Sequence, residues 1–311
     1  MIWHLPLIRA IAGATSTGQV LLVTKPSTQA DALLARDPAI AAITWFERNP
    51  RGKTHGRHDG PLGFARLVAD LRAARADTAI LLHHAPALAA ALRLAGIPRR
   101  HAYGFSRAQR FWLNAQPFLP APPPFTEAAA QAATFAAAIG FPNLPEPSIH
   151  PDAAALVRVR THLADAPRPW WVFGIGANDA SRQWGADNFS SLAGHLAGTT
   201  ILLGGQMDAG LACAIAGKLA EQPRQAIGWP LPDVAALLFV AEHFIGNDSG
   251  PLNLRAAMGR PAHALFGASG PLLHSRHIVP IVPEGGARAG MAAIGVEQAR
   301  QVLAIEHATA R

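Results

Sequence analysis

One cysteine, Cys213, stands in a chain of 311 residues. No internal disulfide can form, and such sparse use fits a reducing compartment. Cys213 falls in an alanine-rich helical stretch, where a buried small apolar residue is expected. Charge is scarce as well: Asp, Glu, Lys and Arg make up 15% of the chain against 50% hydrophobic residues. That balance excludes a disordered chain and predicts a helix-rich globular protein, long enough for two domains. No apolar run reaches the roughly 18 to 20 residues that span a bilayer. The opening MIWHLPLIRAIAG lacks a basic leader segment, and Arg9 interrupts its apolar core. It reads as neither a signal peptide nor an anchor, although AIAG resembles a cleavage site. A cytoplasmic location is the expectation.

The formal charge is +7, and all of it sits in the first half, where residues 1–150 carry 15 basic against 8 acidic side chains. The stretch RNPRGKTHGRHDG contributes Arg48, Arg51, Lys53 and Arg57, with His55 and His58 between them. Such a surface attracts an anionic partner, a nucleic acid, an anionic lipid or a phosphorylated substrate. The same stretch also fits an ordinary solvated loop. Few aromatics accompany it and no RNA or DNA motif is recognised, which argues against nucleic acid.

Along the chain, short β-rich runs alternate with amphipathic helices. VLLVT, AAITWF, TAILLHH and HAYGF read as strands, separated by helices over TQADALLAR, GFARLVADLRAAR and PALAAALRLAG. A proline-rich segment over residues 117–152 then brackets one alanine-rich helix and reads as an interdomain connection. WWVFGIGA, TTILLGG, QAIGW, HFIGND and AHALFG are the strands of the second half. Helices over DNFSSLAGHLA, MDAGLACAIAGKLAEQ, LPDVAALLFVA and PLNLRAAMG fall between them, and VEQARQVLAIEH closes the chain. The pattern predicts two doubly wound α/β domains, 1–150 and 151–311, with a ligand cleft between them beyond the carboxyl ends of the strands.

Two stretches carry chemistry. In HFIGNDSGPLNLRAAMG a strand ends and Gly246–Gly250 turn directly into a helix, whose free N–H groups at Ser249 and Gly250 suit phosphate oxygens. Asp248 also fits a plain helix cap. NDSGP is similar to the nucleophile turn of trypsin-like proteases, but a strand-to-helix turn in an α/β chain is the wrong setting. In WWVFGIGANDASRQW a strand runs into a polar loop bearing Asn178, Ser181 and Arg182. GIGAND lacks the third glycine of a dinucleotide fingerprint. A fixed cation facing a glycine-rich helix start suits a diphosphate leaving group, and Arg182 equally fits a surface arginine.

These residues resemble glycosyltransferase family nine, the heptosyltransferases that build the lipopolysaccharide inner core from ADP-heptose. Asp248-Ser249-Gly250, Leu254, Ala256-Ala257, Gly259, Pro261 and Leu265-Phe266-Gly267 match its C-terminal signature; Gly176-Ala177, Arg182 and Trp184 match its donor loop. ILLGGQMD and IPRRHAYGF resemble two further segments, so the likeness runs in order over nearly the whole chain. It implies a GT-B fold of two Rossmann-like domains, an acceptor-binding N-terminal domain and a nucleotide-sugar-binding C-terminal domain. It further implies an inverting transfer with no metal and no cofactor beyond the nucleotide-sugar substrate.

Carried over by position, Arg182 pairs with the donor diphosphate, Ser249 and Gly250 hold it, and Asp248 contacts the sugar or orders the turn. Arg182 and Asp248 are the residues assigned to catalysis. Asn178 and Ser181 lie in the donor loop, Asp208 binds the ribose, and Trp229 lies against the base. Asn253 stands where the family has histidine, and asparagine carries no proton. Arg51, Lys53 and Arg57 are expected to hold an anionic glycolipid acceptor, with peripheral contact at the inner membrane. The tandem His83-His84 has no third ligand nearby in sequence, which favours a non-metal reading. The family's base is an aspartate in a G-D-x-[ILV]-x-x-x-P loop after the first strand. Met1–Ala10 match the part that follows G-D, so the expectation is a chain that lacks the family's first strand, glycine and base aspartate. Two other readings stay open, a nucleotide-sugar-binding homologue with impaired transfer and a nucleotide-sugar epimerase of the same fold.

Overall fold

The computed structural model describes residues 1–49, 54–123 and 126–309, and side chains as far as residue 303. Two compact units divide the chain, one holding Trp3–Pro147 and the other Ser148–Arg311.

In the first unit a short 3-10 turn, Ile2–His4, leads into α1 (Leu5–Gly13). Pro6 sits in the first turn of α1, where its missing N–H breaks no helical bond. Apolar Leu5, Leu7, Ile8 and Ala12 fall on one side and are buried. The opening run is therefore a core helix. There follow β1 (Val20–Thr24), α2 (Ala30–Leu34), β2 (Ile40–Trp45), α3 (Gly60–Ala73) and β3 (Thr78–Leu81). Then come α4 (Pro86–Leu94), β4 (Arg99–Ala102), α5 (Arg107–Arg110) and α6 (Ala128–Ala138). β1 pairs in parallel with β2, and β3 in parallel with β4, as two separate two-stranded sheets. The strand expected over HAYGF lies earlier, at β4, because Gly104 takes a positive φ of 69° and ends the extended run.

The second unit is more regular. It runs α7 (Ala153–His162), β5 (Trp170–Gly174), α8 (Ala186–Ala193), β6 (Thr199–Gly204), α9 (Ala209–Ala216) and β7 (Arg224–Ile227). α10 (Leu231–Val240), β8 (His243–Asn247), α11 (Gly250–Ala256), β9 (Ala262–Leu265), β10 (Ile278–Ile281) and α12 (Val296–Thr309) complete it. Six parallel strands form one sheet in the order β10-β9-β8-β5-β6-β7. The first strand of the unit, β5, is central, with β6 on one side and β8 on the other. All five of its residues are buried. A parallel strand covered on both faces reads as an unbroken apolar run, and WWVFG is one. Phe173, Ile175, Phe189, Leu202 and Ile245 form the middle of its core.

Three details differ from the sequence expectation. Cys213 is exposed, because α9 buries Ala212, Ile215 and Ala216 and turns Cys213 the other way. α9 also stops short of KLAEQ, at Gly217. β10 has no counterpart in the sequence reading; it carries Pro280 in its middle, which an edge strand tolerates.

Arg255 is the largest fully buried side chain of the described residues. Its guanidinium donates to the carbonyls of Leu238, Ala241, Glu242 and Pro261, so α11 is bolted to the end of α10 and the loop before β9. Burial of that charge is tolerated because the planar fork is so fully engaged.

Candidate functional site

The carboxyl ends of the strands in the second unit carry nearly every residue that the sequence singled out for donor binding. Asn178, Ser181 and Arg182 follow β5, Asp208 follows β6, Trp229 follows β7, and Asp248 to Asn253 follow β8. A doubly wound sheet forces this gathering, since its loops fan apart where neighbouring crossovers leave in opposite directions, here on either side of β5.

After β5 the chain passes Gly176, where a Cβ would collide with the Asp208 carboxylate. That close approach explains the glycine. The loop then makes a 3-10 turn over Ala180–Arg182, capped by Asp179, whose carboxylate accepts the Ser181 N–H at 2.9 Å. The Ser181 backbone and hydroxyl groups hold the Asp179 carboxyl below its usual range. The turn delivers Arg182 to Asp248, with Nη1 donating to Oδ2 at 3.1 Å. Ser269, beyond β9, donates its hydroxyl to the same oxygen at 2.9 Å. Arg182 keeps 42% of its side chain exposed while Asp248 keeps 12%, so the cation reaches outward from a sheltered anchor.

Asp248 is thus no helix cap. The cap position of α11 belongs to Ser249, whose side chain makes no capping bond. Its buried hydroxyl has no hydrogen-bond partner, and neither has the buried Oδ1 of Asn253, whose Nδ2 donates to the Ser249 carbonyl at 3.1 Å. Buried polar atoms ordinarily find partners. Two orphans one turn apart, at the start of a helix whose first residue Gly250 has open space at its Cβ, mark a surface prepared for a polar ligand.

Two residues without an assigned role in the sequence organise this edge. Asn247 is fully buried; its Nδ2 donates to the Ile175 carbonyl at 2.6 Å and its Oδ1 accepts the Trp184 N–H at 3.1 Å. It hangs the loop after β5 from the end of β8. Its signal was a lone amide closing the apolar strand HFIGN. Ser269 gave no such signal, because only the fold brings it to Asp248.

Asp208 spends Oδ2 on the Gly205 N–H at 2.8 Å, bracing the turn after β6. Trp229 is half-buried and meets His162 edge to face, with ring centroids 5.2 Å apart.

In the first unit the basic candidates separate. Arg51 and Lys53 lie outside the described residues. Arg57 forms a fork on Asp70, at 3.1 and 2.9 Å, and Asp70 also meets the buried His58 at 3.0 Å. These bonds, led by that from Arg57, hold the Asp70 carboxyl below its usual range. His58 accepts the Glu47 N–H through Nδ1, so it is a structural pin and no part of a free basic face. His84 shares a hydrogen bond with the buried Gln109, whose amide also donates to the His83 carbonyl. Among the described residues no group of three or more His, Cys, Asp or Glu side chains is placed to hold a metal ion. No helix among them is long and apolar enough to cross a membrane.

Polar groups gathered at the carboxyl edge of a doubly wound sheet mark the place where such folds bind their ligands. Residues 64–280 match the model of glycosyltransferase family 9 (heptosyltransferase), and the chain belongs to this family. Solved structures share the fold across nearly all of it. A family 9 glycosyl transferase from Veillonella parvula DSM 2008 superposes with a TM-score of 0.80 at 18% identity, covering 98% of this chain and 92% of that one. The E. coli ADP-heptose lps heptosyltransferase II gives 0.73 at 20% identity, over 99% and 96%. The E. coli heptosyltransferase WaaC with ADP gives 0.73 at 18%, over 97% and 95%. No curated protein matches the chain in sequence.

Proposed function

We propose that this glycosyltransferase moves a sugar, heptose, from ADP-heptose to an anionic glycan acceptor of the lipopolysaccharide type, inverting the anomeric centre without a metal. The observation that carries the reading is the convergence of Arg182, Asp248, Ser249 and Asn253 at one edge of the second sheet. A departing diphosphate accumulates negative charge, and a half-exposed guanidinium together with the N–H groups of Ser249 and Gly250 at the start of α11 would offset it. Donor binding draws Arg182 off Asp248 onto the diphosphate, which leaves the Asp248 carboxylate free to take a sugar hydroxyl. In this reading Trp229 takes the base and Asp208 the ribose. The relatives support this donor class: one is named for ADP-heptose and another was solved with ADP.

The acceptor falls to the first unit, where the excess positive charge lies. Because Arg57 is engaged by Asp70, Arg51 and Lys53 are the stronger acceptor candidates. Contact with the inner face of the cytoplasmic membrane follows from a lipid-linked acceptor.

Binding and transfer need separate measurement. Calorimetry with ADP and adenosine tests the donor site, and ADP-heptose with a heptose-deficient lipopolysaccharide acceptor, read by mass spectrometry, tests transfer. Sugar isomerised without acceptor indicates an epimerase and refutes the reading. ADP binding without transfer favours an impaired homologue, the second reading, for which Asn253 in place of histidine speaks. Loss of neither ADP nor adenosine affinity in Arg182→Ala removes the assigned role.

A further inference from the structure

Parallel pairing sets Leu265 of β9 opposite Asn247 of β8, so the chain leaving β9 runs beside the turn that begins at Asp248. That chain is held just before it reaches Ser269. The Gly267 N–H donates to Met291 Sδ at 3.2 Å, and its carbonyl accepts the Gly290 N–H at 2.8 Å. A Cβ at Gly267 would meet the Gly290 carbonyl oxygen at 2.6 Å, so glycine permits the approach. Met291 is itself buried in the core of the second unit. Ser269 therefore presents its hydroxyl from a fixed loop, on the shortest of hydroxyl side chains.

The two donors that meet Asp248 differ in kind. Both bonds fall on Oδ2, at 3.1 Å from Arg182 and 2.9 Å from Ser269, and among the described residues none falls on Oδ1. Arg182 brings a full charge on a long, half-exposed side chain. Ser269 brings a neutral hydroxyl from a half-buried position. A diphosphate competes with Asp248 for the guanidinium, since charge-assisted bonds to phosphate are strong and bidentate. It has no such claim on the hydroxyl. Once Arg182 turns to the diphosphate, the serine is the donor left to fix the carboxylate, whose terminal torsion is broad and sets no orientation of its own.

We infer that Ser269 is a positioning residue for the sugar half of the donor: it holds Oδ2 of Asp248 and so keeps Oδ1 aimed for a sugar hydroxyl after Arg182 has left. This rests on the roles proposed above for Arg182 and Asp248. It divides the donor in two, because the nucleotide diphosphate is bound without help from Ser269 and the sugar is not.

Calorimetry with ADP and with ADP-heptose, on the full chain and its Ser269→Ala and Ser269→Thr variants, tests the division. Ser269→Ala should weaken ADP-heptose about tenfold and leave ADP within about twofold. Ser269→Thr keeps the hydroxyl and should restore the sugar's share. Equal weakening of both ligands in Ser269→Ala overturns the proposal, as does unchanged affinity for both. So does a threonine variant that melts like the wild type and still binds ADP-heptose as poorly as the alanine variant. A wild type that binds ADP and gains nothing from the heptose refutes the sugar contact of Asp248 and this proposal with it; a wild type that binds neither refutes the donor reading itself. A ligand-free readout stands beside these. Either Arg182→Ala or Ser269→Ala leaves one donor on Oδ2, whereas the double variant leaves none, so its loss of melting temperature should exceed the sum of the two single losses. Additive losses overturn the shared hold on Asp248.

Discussion

Strands of the same type are buried very differently in the two units. Val172 and Phe173 of β5 are fully covered, while Leu21 and Val23 of β1 stand 38% and 40% exposed. The second unit assembles one sheet of six strands over a continuous apolar core. The first divides its strands into two pairs, over smaller clusters around Tyr103 and Phe135, around Leu113, and around Leu92 and Ile97. Composition does not cause this difference, since both halves are rich in alanine and carry similar shares of β-branched residues. Position does: in the six-stranded sheet β9, β8, β5 and β6 have neighbours on both edges, whereas each strand of a two-stranded pair has one.

The sharpest way to break the comparison is Asn247→Ala. It strips partners from the Ile175 carbonyl and the Trp184 N–H, both buried, and should cost about 3 kcal/mol in urea unfolding. Exchange should quicken around β5 and β8 and stay unchanged at β3 and β4.

Acid should act on the other unit. His4 is held neutral, its pKa lowered to about 4 by burial and then by the charges of the terminal amino group and His83. The unfolded chain takes up that proton near pH 6.5, so stability is full above that pH and falls as pH drops toward 4. The drop should reach about 3 kcal/mol, and His4→Gln should flatten it in denaturation curves at pH 7 and 4.5.

A matched pair of substitutions measures burial directly. Val172→Thr places a hydroxyl in a fully covered strand and should cost about 2 kcal/mol. Val23→Thr, at a position 40% exposed, should change stability by less than about 0.5 kcal/mol. Equal costs would erase the contrast between the units.

Arg182→Ala should sharpen the functional side of the contrast with little effect on folding, because its side chain is 42% exposed. ADP affinity should fall about tenfold or more, while adenosine affinity holds.

The alternation of strand and helix was legible because parallel strands and amphipathic helices have different periods, and VLLVT, WWVFG and HFIGN have no other plausible reading. The gathering of the candidate residues was legible for a related reason: strand ends in such folds converge, so residues after four strands could be grouped without coordinates. What escaped depended on which atoms meet. Ser269 lies 21 residues from Asp248, and no periodicity links them. Arg57 read as a free cation because Asp70, its partner, lies one helix further along. Cys213 read as buried because an alanine-rich helix gives no clue to which face it hides.

The unpartnered Ser249 hydroxyl and Asn253 carbonyl have a consequence for how this protein responds to selection. Each buried orphan costs the empty chain about 1–3 kcal/mol, a cost that a bound donor would cancel. A screen for heat resistance would therefore be drawn to Ser249→Ala and to apolar replacements of Asn253. Such winners would hold their shape longer and, on the proposed reading of this edge, bind the donor less well.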